Sequence, residues 1–159
     1  MRPELLLPAT AQAGEGARSV VLDTNIVLDL FLFADPAVAA LRALLQARRL
    51  DWVATQPMRD ELERVLQYTH LQPRMQHYGV SAHGVLAAFD AGTRLVELAA
   101  RAPCACKDAD DQKFIDLAVV HRAILVSKDK AVLCMRKRLL TQDVQVVAAI
   151  VFEEAAAWA

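Results

Sequence analysis

Residues 20–25 read VVLDTN, so a short run of β-branched and aliphatic side chains stops at Asp23. A strand without polar alternation is typical of a parallel sheet that is covered on both faces. Residues 124–126, ILV, form a second run of this kind, and Asp129 follows after two polar residues. Ligands bind in the crevice beyond the carboxyl ends of such strands. We therefore expect Asp23 and Asp129 to point into one crevice.

Segments with helical spacing of apolar residues alternate with these strands. Further strands are predicted at residues 52–54, 95–98 and 144–147, and helices at residues 35–49, 57–68, 81–92, 108–121 and 130–140. Short strands between longer helices predict an α/β domain with a mostly parallel sheet and right-handed crossovers. The tail through Phe152 and Trp158 is predicted to be helical.

Length and composition predict one folded domain. The 159 residues, 55% of them hydrophobic, are enough for a single core. Residues 1–17 lack apolar periodicity, so we predict a flexible leader followed by a domain over residues 18–159. No apolar run approaches the ~18 residues of a membrane span, and the first residues do not resemble a secretory signal. We therefore expect a cytoplasmic protein with no membrane partner.

Two more carboxylates are predicted on the apolar faces of helices. Glu61 lies within an apolar stripe, where an unpaired charge is costly. Asp111 opens a similar stripe in the first turn of its helix. Simpler interpretations exist, since Asp129 can be a turn or N-cap residue and Asp111 can compensate the helix dipole. Glu61 can form a surface ion pair with Arg59 or Arg64.

The conjunction of these acids favours a metal site. Carboxylates that converge without a neutralising arginine suit hard divalent cations, which prefer oxygen ligands. Mg²⁺ or Mn²⁺ serves phosphate chemistry in such sites. None of the four histidines shares a ligand spacing with the acids, and the three cysteines match neither a zinc site nor a disulfide framework. The predicted metal ligands and catalytic residues are Asp23, Glu61, Asp111 and Asp129.

Four segments around these acids resemble the PIN-domain ribonucleases, and among them the toxins of toxin–antitoxin systems. Residues 20–25 are similar to the family's opening strand with its first acid. Residues 61–66, ELERVL, resemble the helix that carries the second acid. Residues 106–115, CKDADDQKFI, are similar to the segment of the third, and residues 125–133, LVSKDKAVL, to that of the fourth. The resemblance covers residues 19–152.

This resemblance implies a three-layer α/β/α fold with strand order 3-2-1-4-5 and a Mg²⁺- or Mn²⁺-dependent endoribonuclease. The four acids would hold one or two metal ions, and a water would attack the RNA phosphate in line to leave a 5′-phosphate. The implied supporting residues are Asn25, Ser127 and Asp108. Departures from the family pattern are Gln112, where an acid is common, and Ala109, where proline is frequent.

Three further features bear on partners. Arg136, Lys137 and Arg138 are the candidate contacts to the RNA backbone, since phosphate contacts come from basic side chains. Residues 31–33, FLF, are either packed under neighbouring helices or exposed as a contact patch for an antitoxin protein or a homodimer. Asp29 is either a fifth acid near the site or a solvated charge.

Two other functions remain open from the sequence. One is a catalytically weak PIN scaffold that binds a protein or RNA, and such a module does not require divalent cations. The other is a phosphatase of the haloacid-dehalogenase type, with Asp23 as nucleophile. That chemistry needs a second aspartate two residues later, where this chain has Asn25.

Overall fold

A computed structural model of the protein describes residues 4–7 and 18–152. The strands in this part of the chain are β1 Glu4–Leu7, β2 Arg18–Leu22, β3 Leu50–Ala54, β4 Arg94–Leu95, β5 Ile124–Val126, β6 Gln145–Val147 and β7 Ala149–Phe152. Five of them form a parallel sheet in the order β4-β3-β2-β5-β6. Counted along the sheet's own strands this is 3-2-1-4-5, so the predicted fold class and strand order are confirmed.

Helices flank this sheet. They are α1 Thr24–Phe31, α2 Ala39–Gln46, α3 Gln56–Val65, α4 Gln72–Tyr78, α5 Ala82–Gly92, α6 Gln112–His121, α7 Lys130–Leu133 and α8 Arg136–Leu140. The predicted start signals act as caps, because Asp35 accepts a hydrogen bond from the Ala37 N–H and Ser81 accepts one from the Gly84 N–H. None of the helices in the described ranges is long and apolar enough to cross a membrane.

Both ends of the described chain differ from their predicted structure. Residues 4–7 form β1, which pairs in parallel with β7, although they were assigned to a leader outside the fold. Residues 149–152 are strand, whereas a helix was predicted to run through Phe152; the rest of that predicted helix lies outside the described residues. These strands form because two segments far apart in the sequence satisfy each other's backbone hydrogen-bonding groups. The pattern of residues within either segment does not predict this pairing.

Two internal elements also differ. β4 has two residues rather than the predicted four, since pairing with β3 ends at Leu95. The helix predicted over residues 130–140 is divided into α7 and α8 by Cys134 and Met135. The segment 108–111 is a cap and a 3-10 turn that leads into α6.

The sheet register places Asp23 beside Ser127, two residues before Asp129. Leu22 pairs with Val126, and the Asp23 N–H extends the ladder with a 3.1 Å hydrogen bond to the Val126 carbonyl. The centres of β2 and β5 are fully buried. The chain therefore leaves the covered sheet at Asp23 and Ser127. These residues follow β2 and β5, the two neighbouring strands between which the strand order changes direction.

Candidate metal centre

Asp23 is a buried carboxylate at the start of α1. Its Oδ1 accepts a 2.9 Å hydrogen bond from the Asn25 N–H and its Oδ2 accepts a 2.7 Å bond from the Ser127 hydroxyl. The residue is 4% exposed, and this burial raises the pKa of its carboxyl group despite the two hydrogen bonds. The side chain thus has a fixed orientation, and a nearby cation would stabilise its ionised form.

Ser127 links the first acid to the last. Its buried hydroxyl donates to Asp23 and accepts a 3.1 Å hydrogen bond from the Asp129 N–H. Asp129 in turn caps α7 by accepting a 2.9 Å bond from the Ala131 N–H. The capping interpretation of Asp129 therefore holds, and the same geometry brings its carboxylate to the crevice.

Asp111 is the second buried acid of the site, at the end of the 3-10 turn that precedes α6. Burial, followed by the adjacent Asp129 and the charge of Asp23, raises the pKa of Asp111 to about 7. Its buried Oδ2 has no hydrogen-bond partner among the described residues. One carboxylate oxygen from each of Asp23, Asp111 and Asp129 lies within 4.8 Å of the others.

These three aspartates fit a hard divalent cation. Across residues 4–7 and 18–152, no ion pair neutralises any of the three. Oxygen-only ligands and an unsatisfied buried carboxylate oxygen are what Mg²⁺ or Mn²⁺ requires, with waters completing the coordination. The alternative to a bound cation is protonation, which the raised pKa of Asp111 indicates.

Glu61 lies on the same crevice but outside this trio. It projects from α3 and forms a 2.7 Å ion pair with the ammonium group of Lys113. Lys113 also donates a 2.5 Å hydrogen bond to the Asp110 carbonyl. The cationic partner expected for Glu61 is therefore on α6, and Arg59 instead pairs with Glu63 and Asp90. Metal ligation by Glu61 stays a prediction.

The crevice around these acids has a volume of about 480 Å³. The four predicted acids form one part of its lining, and neutral polar, apolar and basic side chains form the rest. The remaining lining residues are Thr24, Asn25, Leu28, Phe33, Val65, Tyr68, His70, Leu71, Arg74 and Phe114.

The predicted supporting residues have different roles. Asn25 acts through its backbone N–H on Asp23, while its exposed side chain lines the crevice. Asp108 caps the 3-10 turn before Asp111 by accepting a 3.0 Å bond from the Asp110 N–H. Ser127 is the buried link already described. Asn25 and Ser127 therefore bind Asp23 directly, whereas Asp108 acts on the turn that carries Asp111.

Asp29 corresponds to neither of its two interpretations. It is buried on α1, so it is not a solvated charge, and it forms an ion pair with Lys128. It is not part of the crevice lining. Because Lys128 precedes Asp129, this ion pair fastens the end of β5 to α1.

Gln112 explains a departure from the family pattern. Its amide oxygen accepts a 2.6 Å bond from the Cys106 N–H, and its amide nitrogen donates to the Cys104 carbonyl and to Asp116 at 3.0 and 2.8 Å. A carboxylate at this position would lack the two donor hydrogens. Gln112 therefore holds the loop before the 3-10 turn against α6 rather than facing the metal.

We expect Gln112→Glu to lower the free energy of unfolding by about 2 to 3 kcal/mol, because two hydrogen bonds are lost and a charge is placed beside Asp116. Urea denaturation at neutral pH measures the change. Gln76→Glu, at an exposed position of α4, is the matched control and should change stability by less than about 0.5 kcal/mol. Equal effects of both substitutions would contradict the role assigned to Gln112.

The basic residues predicted to contact RNA lie away from the crevice lining. Arg136, Lys137 and Arg138 are exposed on α8. Arg136 lines a separate cavity of about 140 Å³ beside β6. The crevice itself is lined by His70 and Arg74, which the sequence analysis did not identify because no charge run or helical stripe marks them.

The three residues 31–33 are packed rather than free. Leu32 is buried, and the Phe31 ring stacks on Trp52 with centroids 6.0 Å apart. Phe33 is half-buried and lines the crevice, and its ring lies edge-to-face with that of Tyr78, with the centroids 6.4 Å apart. Of the two alternatives for this segment, packing against neighbouring elements is therefore correct, with Phe33 alone among the three reaching the crevice.

Comparison with known proteins gives one family match. The family model described as PIN domain matches residues 19–131, more than half of the chain, and this range contains all four predicted acids. No curated protein matches the sequence.

Proposed function

Because this chain belongs to the PIN-domain family, whose fold is of the nuclease type, we propose that it is a metal-dependent endoribonuclease. The observation that carries the proposal is the trio of Asp23, Asp111 and Asp129, which has oxygens within 4.8 Å of one another. Clustered carboxylates without a basic partner are unfavourable in a stable fold unless a cation joins them.

Asp23, Asp111 and Asp129 would hold Mg²⁺ or Mn²⁺, with Glu61 as a further ligand on the crevice wall. The chemistry that such a cation supplies when bound is activation of water and neutralisation of charge on the phosphate. Ser127 holds the Asp23 carboxylate and the Asp129 backbone N–H, and the Ala131 N–H holds the Asp129 carboxylate, so hydrogen bonds orient both acids before a cation binds. No side-chain nucleophile is required.

The RNA backbone would be held near these acids by basic residues. The candidates from the sequence, Arg136, Lys137 and Arg138, remain proposals for an outer part of the bound strand. Arg74 lies closer to the reaction, because it lines the crevice. Basic groups around an acidic centre would hold the phosphates without competing for the cation.

Cleavage of a labelled single-stranded RNA tests the proposal. We expect cleavage with Mn²⁺ or Mg²⁺ and none with EDTA, and internal cleavage of a circular RNA would establish the endonucleolytic mode. Cleavage that persists unchanged in EDTA would contradict a metal-dependent reaction. Absence of cleavage and of Mn²⁺ binding together would favour the scaffold alternative.

Glu61→Gln should weaken Mn²⁺ binding by about 10-fold or more, whereas Glu63→Gln on the same helix should not. Glu61 faces the crevice beside Lys113, while Glu63 is exposed and pairs with Arg59 at 3.7 Å. Calorimetric titration of both variants with Mn²⁺ measures the difference. Unchanged Mn²⁺ affinity of Glu61→Gln would mean that the trio of aspartates binds the cation without Glu61.

A role as the toxin of a toxin–antitoxin pair also fits the crevice. Leu28, Phe33, Val65 and Leu71 place apolar surface beside the acids, and an antitoxin could cover both with apolar side chains and an arginine. A homodimer could use the same apolar surface. Coexpression with the product of an adjacent gene, followed by a cleavage assay of the complex, tests the inhibitory partner.

A further inference from the structure

One part of the crevice lining carries three aromatic rings and one guanidinium group. We call this surface the ring wall, and it consists of Phe33, Tyr68, His70 and Arg74. Its members come from three segments: Phe33 follows α1, Tyr68 and His70 belong to the 3-10 turn before α4 and its N-cap, and Arg74 lies on α4. All four line the same crevice as the acids.

The rings of this wall are open to the crevice. Tyr68 is 48% exposed, and its ring lies 5.6 Å from that of His70 at an angle of 38°. A half-exposed tyrosine ring in the lining of the crevice leaves flat apolar surface in contact with solvent. Stacking of another flat ring on such a surface is energetically favourable.

Arg74 is held in place without being neutralised. Its guanidinium carbon lies 5.5 Å from the centre of the Phe33 ring, a cation–π contact. Within the described ranges Arg74 takes part in no ion pair. Its N–H donors are therefore not committed to any carboxylate among the described residues and can bind an anion, while one face of the guanidinium group packs on the Phe33 ring.

The crevice is larger than a hydrated cation needs. Six waters around an ion occupy about 180 Å³ at ~30 Å³ each, which leaves more than half of the 480 Å³ for other atoms. That remaining space is bounded by flat rings and by a cation. A nucleotide, with a flat base and an anionic phosphate, matches both features.

We propose that the ring wall is a nucleotide subsite in which an unpaired base stacks on Tyr68 and His70 while Arg74 binds an adjacent phosphate. Phe33 is a positioning residue that orients Arg74. The base must be unpaired, because the faces of bases within a duplex are already stacked. This inference rests on the proposed nuclease function and assigns the nucleotide next to the cleaved bond to named residues.

Fluorescence anisotropy in EDTA tests the subsite without catalysis. The probes are a labelled ten-nucleotide RNA and a set of the same RNA with one abasic position moved along the strand. For the unmodified protein we expect one abasic position to weaken binding by about 5- to 150-fold, the value of one stacked base. For Tyr68→Leu, an abasic nucleotide at that position should no longer weaken RNA binding.

Arg74→Gln and Lys137→Gln separate the ring wall from the basic residues of α8. Removing a phosphate contact should lower the slope of log affinity against log salt by ~0.7 for a single strand. We expect this decrease for Arg74→Gln. A decrease for Lys137→Gln alone would overturn the assignment of Arg74.

Phe33→Leu tests the positioning role. It should weaken RNA binding in the protein that has Arg74 and have no further effect in the Arg74→Gln background. Additive effects would show that Phe33 does not act through Arg74. Circular dichroism of each variant excludes loss of fold as the cause, and Tyr68 and Arg74 are exposed positions where substitution is tolerated.

The results separate this inference from the proposed function. Cleavage by the unmodified protein together with equal abasic sensitivity of Tyr68→Leu overturns the subsite alone. Binding that depends on Tyr68 and Arg74 without any metal-dependent cleavage overturns the nuclease function and keeps the subsite. If the labelled RNA does not bind the unmodified protein at all, the ring wall is not a nucleotide site.

Discussion

Asp23→Asn should reduce Mn²⁺-dependent RNA cleavage by more than about 100-fold. Loss of a residue that only hydrogen-bonds to a metal ligand typically lowers activity about 10- to 100-fold, and loss of a ligand itself should lower it further. Asn keeps the size of the side chain and can still accept the hydrogen bond from the Asn25 N–H. It removes the charge that the cation needs. Initial cleavage rates at saturating Mn²⁺ measure the effect.

The same variant should keep or gain stability without metal. Burial raises the pKa of Asp23, so the folded protein holds its ionised form at a cost, and the neutral amide avoids that cost. Thermal melting in EDTA measures this. Loss of activity with unchanged or raised melting temperature distinguishes a metal ligand from a structural residue.

Asp29→Asn is the matched control for Asp23→Asn. Asp29 is also buried on α1, but it pairs with Lys128 and is not part of the crevice lining. We expect this variant to lose stability, since Lys128 loses its partner, and to keep most of its cleavage activity. Wild-type cleavage by Asp23→Asn would refute the metal site, whatever the behaviour of Asp29→Asn.

The metal-free protein should lose stability as the pH rises from about 4 to about 7. The pKa of Asp111 is raised to about 7 from the ordinary value of 3.8, so the folded state binds more protons than the unfolded state throughout this range. The free energy of unfolding then falls with pH, by at most about 1.4 kcal/mol per unit for one group. Asp23, whose pKa is also raised by burial, contributes in the same direction.

Urea denaturation in EDTA at several pH values between about 4.5 and about 7.5 measures this dependence. Asp111→Asn should flatten it, and saturating Mn²⁺ should reverse it, because a cation favours the ionised carboxylates. The control Asp108→Asn removes a nearby exposed acid and should leave most of the slope. If the free energy of unfolding in EDTA did not change with pH, the raised pKa of Asp111, and with it the burial of these carboxylates without a cation, would be contradicted.

The centre of the site was predictable from local sequence. Residues 20–25 and 124–129 each show an apolar strand that ends at polar residues, and that pattern depends on the strand alone. The strand order followed from the family resemblance rather than from periodicity. The local sequence was therefore sufficient to predict Asp23 and Asp129 as residues of the site.

Features that depend on distant pairing were not predictable. β1 and β7 are short apolar segments at opposite ends of the described chain, and neither indicates the other. The partner of Glu61 is Lys113, although two arginines are closer to it in sequence. Ion pairs and edge pairings are chosen by three-dimensional proximity, which single-sequence patterns do not encode.

The ring wall illustrates a limit of composition. Aromatic residues are only 6% of the chain, which gave no reason to expect a stacking surface. Tyr68 and Phe33 nevertheless line the acidic crevice together with Arg74. A small number of aromatic residues is sufficient when the fold brings them to one site.

The chemical nature of the ends of the RNA products tests most directly whether this site catalyses metal-dependent hydrolysis of the phosphodiester bond. In Mn²⁺ we expect products with 5′-phosphate and 3′-hydroxyl ends, and cleavage should continue when the nucleotide at the cleaved bond lacks its 2′-hydroxyl, because water is the nucleophile. Products with 5′-hydroxyl and 2′,3′-cyclic phosphate ends, formed only when the 2′-hydroxyl is present, would contradict the mechanism.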